Sequence, residues 1–239
     1  MTAILRPMGR LIVALDGPGS SGKSSVGAAA AREVGYRFCD TGLLYRAVTW
    51  LAEERGVSVD DPEGLVGLVD DVELATDHEG RLAGVLVDGV DHTADVRAPA
   101  VDSAVSAVSA VPEVRAALLD RQRDLARGGA IVMAGRDIGT VVLPDADLKL
   151  YLDASVTERA RRRAEERGLD PDGPAAAAIL DALRRRDRLD ATRLVAPLRI
   201  ATDARILTTD GNTFEETVAA VVGAIRDAEA RQVPEPSAR

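Results

Sequence analysis

The chain has one cysteine among its 239 residues, only two lysines, and no long uninterrupted apolar segment. A single thiol excludes an internal disulfide and a zinc site built from cysteines. Since no stretch approaches the roughly 18 apolar residues of a membrane span, we expect no membrane partner. The formal net charge of −9 argues against broad electrostatic binding to nucleic acid or acidic membranes. We therefore expect a cytoplasmic protein without nucleic-acid partners.

Almost all of the basic residues are arginines, yet one of the two lysines, Lys23, lies in a glycine-rich run. Residues 17–24 read GPGSSGKS, which fits the pattern G-x-x-x-x-G-K-[ST] without a substitution. An apolar run at 11–15 precedes it and an alanine-rich helical stretch at 26–34 follows. In that setting the loop backbone and the helix N-terminus bind a polyphosphate, the lysine reaches the terminal phosphates and the serine can bind Mg²⁺. The pattern predicts binding of a nucleoside triphosphate. The expected contact residues are Gly17, Pro18, Gly19, Ser20, Ser21, Gly22, Lys23, Ser24 and Ser25.

Strand and helix signals alternate along most of the chain, which predicts an α/β fold. Apolar strand signals recur at residues 11–15, 130–134, 148–152 and 205–208, and a further strand ends near Asp40. The helical stretches between them favour a parallel sheet with helices on both faces. Residues 72–96 differ, because VLVDGV at 85–90 indicates a strand and a hairpin turn; we expect a small β insert there. Residues 168–174, rich in Gly, Pro and Asp, suit a mobile flap.

Two further runs fall where open α/β sheets bind ligands, at the carboxyl ends of strands. Residues 40–46 read DTGLLYR and offer Thr41, Tyr45 and Arg46 as a second anion site. The alternative is a capped amphipathic helix with a packed tyrosine and a solvated arginine. The run GRDIGT at 135–140 offers Arg136 as a donor fork and Asp137 as an acceptor; the alternative is an ion pair that closes a loop.

Arginine is dense at residues 158–167 and again at 184–193. In the first stretch, i,i+4 spacing pairs Glu158 with Arg162, Arg161 with Glu165, and Arg162 with Glu166. Much of this charge is therefore expected to form a salt-bridged helix surface. The second stretch has surplus positive charge, so we expect two or three of its arginines to reach phosphates when the flap closes.

The chain contains the glycine-rich run followed, in order, by the runs DTGLLYR, GRDIGTVV, LYLDAS and RRDRLDATRLVAPL. In the order and spacing of these runs the chain resembles bacterial cytidylate kinases over about residues 10–228. The resemblance implies a P-loop nucleoside monophosphate (NMP) kinase fold. Such a fold has a five-stranded parallel sheet flanked by helices, a small β insert and a helical LID. The implied core covers about residues 10–40, 112–155 and 200–228, and the NMP-binding region about 41–111 with its insert at 72–96. The implied LID covers about 156–193, and we expect a disordered tail at 229–239.

The resemblance also implies a monomer that phosphorylates CMP and dCMP with ATP and Mg²⁺, and it assigns roles to single residues. It places Thr41, Tyr45, Arg46, Arg136 and Arg193 around the monophosphate, Ser106, Arg115 and Asp137 at the cytosine, and Arg186 and Asp190 at the ribose. Lys23, Arg136 and Arg193 are the expected catalytic residues. A carboxylate at the base accepts from the exocyclic amino group of cytosine but faces a carbonyl in uracil, which favours cytosine.

Ala134 departs from this family, which usually has an acidic residue just before the GRD run. In related P-loop kinases an acid there holds the magnesium shell through water. Asp16, immediately before the glycine-rich run, is the nearest substitute. We therefore expect Ser24 and Asp16 as metal ligands, and an enzyme that needs more Mg²⁺.

The residues also leave two other functions open. A kinase of a small hydroxyl metabolite would use Asp137 as a general base, but the arginines around a second phosphate would then be unexplained. A non-catalytic ATP-binding switch would use the same glycine-rich run. A guanine-specific switch is disfavoured, because neither Lys23 nor Lys149 is followed by an aspartate two positions on.

Overall fold

The computed structural model describes residues 10–232, which fold into eight strands and eight α-helices. The strands are β1 (Ile12–Asp16), β2 (Arg37–Asp40), β3 (Val72–Thr76), β4 (Arg81–Val87), β5 (Val90–Asp91), β6 (Ile131–Gly135), β7 (Leu148–Asp153) and β8 (Arg205–Thr208). The helices are α1 (Lys23–Val34), α2 (Gly42–Arg55), α3 (Pro62–Gly67), α4 (Pro99–Val108), α5 (Pro112–Ala126), α6 (Val156–Glu166), α7 (Pro174–Thr192) and α8 (Phe214–Gln232). A π-helical turn at Ile138–Val142 follows β6.

The strands form one sheet in the order β3-β4-β2-β6-β1-β7-β8, with β5 paired to β4. Strands β2, β6, β1, β7 and β8 run parallel, as predicted, and the four strand positions predicted from apolar runs are confirmed to within one residue. Asp16 at the end of β1 pairs in register with Gly135 of β6 and Tyr151 of β7. The glycine-rich loop and the GRD run therefore leave the same edge of the sheet, which is the ligand-binding edge of such folds.

The predicted β insert is present as β3, β4 and β5, but it is joined to the main sheet. Strand β4 pairs in parallel with β2, Phe38 opposite Arg81 and Cys39 opposite Leu82, while β3 and β5 pair antiparallel with β4. The five predicted parallel strands are present, and the insert extends them into one sheet of eight strands. The physical reason is that β2 would otherwise end the sheet with unpaired N–H and C=O groups, and β4 supplies partners for them.

Helices cover both faces of the sheet. On one face, α1 and α8 pack on β1 and its neighbours through an apolar cluster that includes Leu15, Val26, Val132 and Ile225. The opposite face of β1 and β6, with Ile12 and Met133, packs against the end of α5 and the π-helical turn. Helices α2 to α5 share a further cluster with β3 and β4. The alternate residues of β1 and β6 thus reach two different cores, which explains their continuous apolar sequences.

The arginine-rich stretches form a helical hairpin of α6 and α7. Ala160 and Ala164 of α6 pack against Ala176, Ile179 and Leu183 of α7 in a cluster of their own. The Gly- and Pro-rich segment at 168–174 separates the two helices, as predicted, and α7 begins at Pro174, where its missing N–H is not needed. The mobility of this segment remains a prediction.

At the C-terminal end, α8 runs to Gln232, so the predicted disorder of residues 229–232 is wrong. Glu229 explains part of this, because its carboxylate accepts a hydrogen bond of 2.5 Å from Tyr36 Oη. Residues 233–239 of the predicted tail lie outside the described residues. No helix within 10–232 is both long enough and apolar enough to cross a membrane.

Candidate active site

The loop that joins β1 to α1 has a backbone that requires glycine. Gly17 and Gly22 adopt φ angles of 152° and 90°. A Cβ atom on Gly17 would lie 2.3 Å from the carbonyl oxygen of Leu152. The loop leads directly into the N-terminus of α1, where backbone N–H groups and the helix dipole favour an anion.

Lys23, the first residue of α1, is buried and points back into this loop. Its Nζ donates to the carbonyl of Pro18 at 2.6 Å and to Ser21 Oγ at 3.3 Å. Burial, followed by the nearby Arg136 guanidinium, holds the pKa of Lys23 well below its usual value. An anion bound beside Lys23 would offset both effects and stabilise the charged ammonium.

A cavity of about 520 Å³ lies against the loop. Eight arginines and Lys23 line it, but only five carboxylates do. The lining therefore has surplus positive charge even though the protein as a whole is acidic. The predicted residues on this lining are Gly19, Ser20, Ser21, Gly22, Lys23, Ser24, Ser25, Thr41, Tyr45, Arg46, Arg115, Arg136, Asp137, Arg186, Asp190 and Arg193.

Asp137 lies between two arginines in this cavity. Its Oδ1 accepts from Arg193 Nη2 at 3.2 Å, and its Oδ2 accepts from Arg115 Nη2. Arg115 also lies over the ring of Tyr45, 5.3 Å from the ring centroid, and Tyr45 is buried. Arg136 pairs instead with Asp190, its Nε 2.8 Å from Oδ2. The adjacent Arg136 and Asp137 thus bind residues of other elements, which rules out the simple loop-closing pair in this structure.

Arg186 on α7 is the arginine with the clearest unmet bonding capacity. Its Nε is buried and has no hydrogen-bond partner among residues 10–232. Burial first, and then the neighbouring Arg136, lower its pKa to about 10. A bound anion would stabilise a buried guanidinium in this situation, since unpaired buried donors are costly.

Arg46 on α2 forms an ion pair rather than being solvated. It contacts Asp102 of α4 and donates from Nη1 to the carbonyl of Val96 at 3.3 Å. Thr41 donates from Oγ1 to the carbonyl of Ala134 at 2.9 Å, at the edge of the cavity. The run DTGLLYR therefore contributes a packed tyrosine and a paired arginine to one binding surface.

Ser106 is predicted to contact the substrate, but it does not line the main cavity. It is buried on α4 and faces a second cavity of about 330 Å³ between α4, α6 and α7, not the main one. Its neighbour Ser109 does line the main cavity, and the Ser109 carbonyl accepts from Arg115 Nη1 at 3.1 Å. In this arrangement of the helices Ser106 does not line the main cavity, and its contact with a base stays a prediction.

The carboxylate nearest to Ser24 is Asp40, not Asp16. Ser24 Oγ donates to Asp40 Oδ2 at 2.6 Å, and both residues line the cavity. Asp16 uses both carboxylate oxygens for the backbone N–H groups of Ile138 and Gly139, at 2.8 and 2.7 Å, and does not line the cavity. The prediction of Asp16 as a metal ligand is thus not supported by its contacts. Among residues 10–232 no three His, Cys, Asp or Glu side chains cluster as a metal site, so the phosphates and water would complete any metal shell.

Ala134 lies opposite Asp40 on the neighbouring strand. It is 1% exposed and packs in the apolar cluster under α1, while Asp40 on the neighbouring strand pairs with it in register. An aspartate at the end of a parallel strand is a signal that the sequence does contain, and it identifies Asp40 as a candidate. Asp102, Arg163 and Arg167 also line the cavity, but no motif distinguishes them from ordinary helix-surface residues.

The first of the two arginine-rich helices, α6, contacts the glycine-rich loop directly. Arg159 is 4% exposed, donates from Nη1 to the carbonyl of Gly19 at 3.0 Å and pairs with Asp187 at 2.6 Å. Arg163 donates to Ser20 Oγ at 3.0 Å. Of the expected surface pairs, those of Glu158 with Arg162 and of Arg161 with Glu165 are confirmed. The expected pair of Arg162 with Glu166 does not form, because Arg162 donates from Nη1 to Thr209 Oγ1 and from Nη2 to the Thr209 carbonyl.

Comparison with known proteins identifies the family of the chain. The sequence profile of the family described as Cytidylate kinase matches residues 13–227. A cytidylate kinase of Pelotomaculum thermopropionicum is 45% identical over 218 residues, which cover 89% of this chain and 95% of that protein. A bifunctional pantoate ligase/cytidylate kinase of a Synechococcus strain is also 45% identical, but the match spans only 44% of its length and 92% of this chain.

Among solved structures, an uncharacterized protein from Eubacterium ventriosum superposes with a TM-score of 0.50 at 12% identity, covering 91% of this chain and 99% of the other. That likeness concerns the fold alone. The family profile spans most of the chain, and the match to the Pelotomaculum protein covers 95% of that protein. The chain belongs to the cytidylate kinase family.

Proposed function

We propose that this protein transfers the γ-phosphoryl group of ATP to CMP and dCMP, with Mg²⁺. The observation that supports this most strongly is the single cavity lined both by the glycine-rich loop and by an arginine set with surplus positive charge. Such a cavity suits two phosphate-bearing ligands, one at the loop and one at the arginines. The family names of the relatives support cytidine nucleotides as the second ligand.

In this proposal the triphosphate binds along the loop and the N-terminus of α1. Lys23 then exchanges its bonds to Pro18 and Ser21 for phosphate oxygens, since an ammonium binds an anion more strongly than neutral acceptors. Gly19 to Ser25 present the backbone that surrounds the phosphates. The loop supplies position and charge, which are the main requirements of phosphoryl transfer.

The monophosphate of CMP binds at Arg46, Arg136 and Arg193, beside Thr41 and Tyr45. A phosphate oxygen of CMP attacks the γ-phosphorus, the bond from that phosphorus to the bridging oxygen of ATP breaks, and ADP leaves. The attacking oxygen is already anionic near neutral pH, so no general base is needed. Lys23 and the arginines neutralise the transferred group, and they act by position and charge.

We propose that Asp137 and Arg115 recognise the cytosine, and that Arg186 and Asp190 hold the ribose. The Asp137 carboxylate is buried and already oriented by two arginines, so its remaining lone pairs can accept from an exocyclic amino group. A contact from Ser106 requires α4 to shift relative to the main cavity, because Ser106 faces the second one. We further propose a monomeric, cytoplasmic enzyme without nucleic-acid partners.

For Mg²⁺, the chemistry of the donor set fits, since Ser24 and Asp40 present a hydroxyl and a carboxylate oxygen 2.6 Å apart. Oxygen donors are the ligands that Mg²⁺ prefers. Ser24 and Asp40 would hold the ion together with phosphates and water, and the bound ion would supply charge neutralisation. Asp40 here replaces Asp16 as the proposed second residue.

Incubation with γ-labelled ATP, Mg²⁺ and CMP tests the proposed transfer. The label is expected in the β-phosphate of CDP, and only when CMP is present. Label released as inorganic phosphate at the same rate with and without CMP would contradict the proposal and favour a nucleotide hydrolase or switch.

A further inference from the structure

Asp102, in the first turn of α4, is surrounded by arginines from three other parts of the fold. Arg46 of α2 and Arg163 of α6 contact its two carboxylate oxygens directly. Arg167, just beyond α6, lies 3.4 Å from Oδ2, and Arg186 of α7 lies 3.8 Å from Oδ1. The Asp102 side chain is 13% exposed, so these pairs are weakly screened by solvent.

A carboxylate shared by four guanidinium groups does not satisfy them. Asp102 contributes one negative charge beside four positive charges, and within residues 10–232 Arg186 Nε stays buried without a hydrogen-bond partner. Burial first, and then the charges of Arg136 and Arg46, lower the pKa of Arg186, although the carboxylates of Asp190 and Asp102 oppose the shift. The group of arginines therefore has capacity for an anion of higher charge than a carboxylate, such as a phosphate.

Like a bound phosphate, the Asp102 carboxylate contacts several arginines and connects the helices that carry them. Its Oδ1 accepts from Arg46 of α2 and lies 3.8 Å from Arg186 of α7, while its Oδ2 accepts from Arg163 and Arg167 at the end of α6. One carboxylate thus links α4 and α2 to the α6–α7 hairpin. Arg163, one of its partners, also donates to Ser20 Oγ in the glycine-rich loop. Although burial opposes it, Arg46 and the other arginines lower the pKa of Asp102, which keeps the carboxylate ionised.

We propose that Asp102 is an internal substitute for a nucleotide phosphate: it holds Arg46, Arg163 and Arg186 in the ligand-free protein and releases them when a phosphate binds. This inference rests on the proposed phosphate binding in the same cavity. Asp102 then competes with the substrate for the arginines, and it also keeps the α6–α7 hairpin close to the loop before the substrate arrives. The ligand class it competes with is a phosphate monoester dianion.

Asp102→Asn tests the proposal, because it removes the charge and nearly keeps the shape. The matched control is Asp181→Asn, which makes the same charge change at an exposed pair with Arg184 on α7. Isothermal titration with CMP, and separately with inorganic phosphate, measures the competition. Asp102→Asn is expected to bind both about fivefold or more tightly than the wild type, since a competing carboxylate is gone, while Asp181→Asn stays within about twofold.

A second readout follows the hairpin without nucleotide. Amide hydrogen exchange in α6 and α7 is expected to be faster in ligand-free Asp102→Asn than in the wild type, and CMP is expected to restore the slow exchange. If the amide packs poorly at this position, Asp102→Ser gives the same comparison with a smaller side chain.

The outcomes separate this inference from the proposed function. Unchanged or weaker phosphate binding by Asp102→Asn would overturn it and identify Asp102 as a fixed anchor that stays in place when ligand binds. Tighter binding of inorganic phosphate in a protein that never binds CMP would support the inference and contradict the proposed substrate. Absence of binding to CMP and phosphate in both proteins would overturn both.

Discussion

Arg136 is the single residue on which the proposed chemistry depends most. It lies between the loop and the arginine set, close to Lys23 and Arg186, and is held by Asp190. Loss of an arginine that acts in the transition state costs on the order of 10³ in turnover, or about 4 kcal/mol. We expect Arg136→Ala to lose turnover by that amount in steady-state assays.

The matched control for Arg136 is Arg184→Ala. Arg184 is an exposed arginine of α7 whose partner, Asp181, is exposed too, so its loss is expected to change turnover less than twofold. A loss below tenfold in both turnover and CMP affinity for Arg136→Ala would contradict its assignment. Thermal unfolding of both variants separates a catalytic loss from a general destabilisation.

The magnesium proposal distinguishes two aspartates, Asp40 and Asp16. We expect Asp40→Asn to raise the Mg²⁺ concentration for half-maximal activity at least about tenfold, because residues that orient a metal shell have effects of that size. Asp16→Asn is expected to leave that concentration unchanged within about twofold, since its carboxylate binds only backbone N–H groups here. The reverse result would restore Asp16 as the metal ligand and contradict Asp40.

Asp16 has a different expected effect, on stability against pH. Burial raises the pKa of its carboxyl to about 6 from 3.8, although the backbone N–H groups of Gly139 and Ile138 oppose the shift. A raised carboxyl pKa means that the folded protein binds the proton more tightly than the unfolded chain. Its stabilising contribution is therefore present below pH 4 and is lost as the pH rises towards 6, by about 3 kcal/mol.

Unfolding in urea at several pH values measures this effect as the difference between the wild type and Asp16→Asn, which does not titrate. We expect the wild type to lose stability relative to the variant between pH 4 and 6.5. If the difference in unfolding free energy between the two proteins does not change with pH, the expected pKa shift is contradicted. The hydrogen bonds of the buried carboxylate would then stabilise it as fully as water does.

The site residues differ in how visible they are in the sequence. Lys23 and the glycines are specified by a local pattern, since the loop geometry depends on residues that are close in sequence. Asp102 is not visible in that way, because its partners Arg163 and Arg186 are distant in the chain and meet it only in the folded protein. Asp40 can be recognised in the sequence as an aspartate at the end of a strand. Its contact with Ser24 does not follow from the spacing of the two residues in the sequence.

At the scale of elements, Arg159 connects α6 to the glycine-rich loop. It is buried and binds the carbonyls of Gly19 and Ala154 as well as the Asp187 carboxylate. Its removal leaves a partly buried carboxylate and two carbonyls without a cationic partner. We expect Arg159→Met to lower the free energy of unfolding by about 3 kcal/mol.

The control for Arg159 lies on the same helix. Arg161 pairs with Glu158 and Glu165 at the exposed surface, so Arg161→Met is expected to change stability by less than about 0.5 kcal/mol. Equal losses for the two variants in urea unfolding would contradict the role of Arg159 as a buried link. The comparison holds the helix and the substitution constant and changes only burial.

Strands and helices followed from local periodicity, which is why β1, β6, β7 and β8 were placed closely from sequence. The insert strand β4 was expected, but its pairing with β2 was not, because pairing depends on which sheet edge is free in three dimensions. The end of α8 was also missed. Polar composition there indicated a tail, whereas the Tyr36 contact with Glu229 joins that turn to the core.

At the scale of the whole molecule, the chain is acidic, yet the main cavity beside the glycine-rich loop is lined with surplus positive charge. The net charge of −9 disfavours polyanionic partners in general, while the arginine-rich lining attracts a small phosphate ligand at close range. The cavity lies between α2 and α4 on one side and the α6–α7 hairpin on the other. Charge pairs across it, including those of Asp102, join the two sides before any ligand is bound.

This member of the cytidylate kinase family is expected to phosphorylate a cytidine monophosphate in the main cavity. A coupled assay of ADP release, with ATP and Mg²⁺ and with CMP, dCMP, UMP, AMP and shikimate presented separately, tests it most directly. We expect rapid ADP formation with CMP and dCMP, weak formation with UMP, and none with AMP or shikimate. ADP formation with shikimate and none with CMP, or at a rate independent of any acceptor, would contradict it.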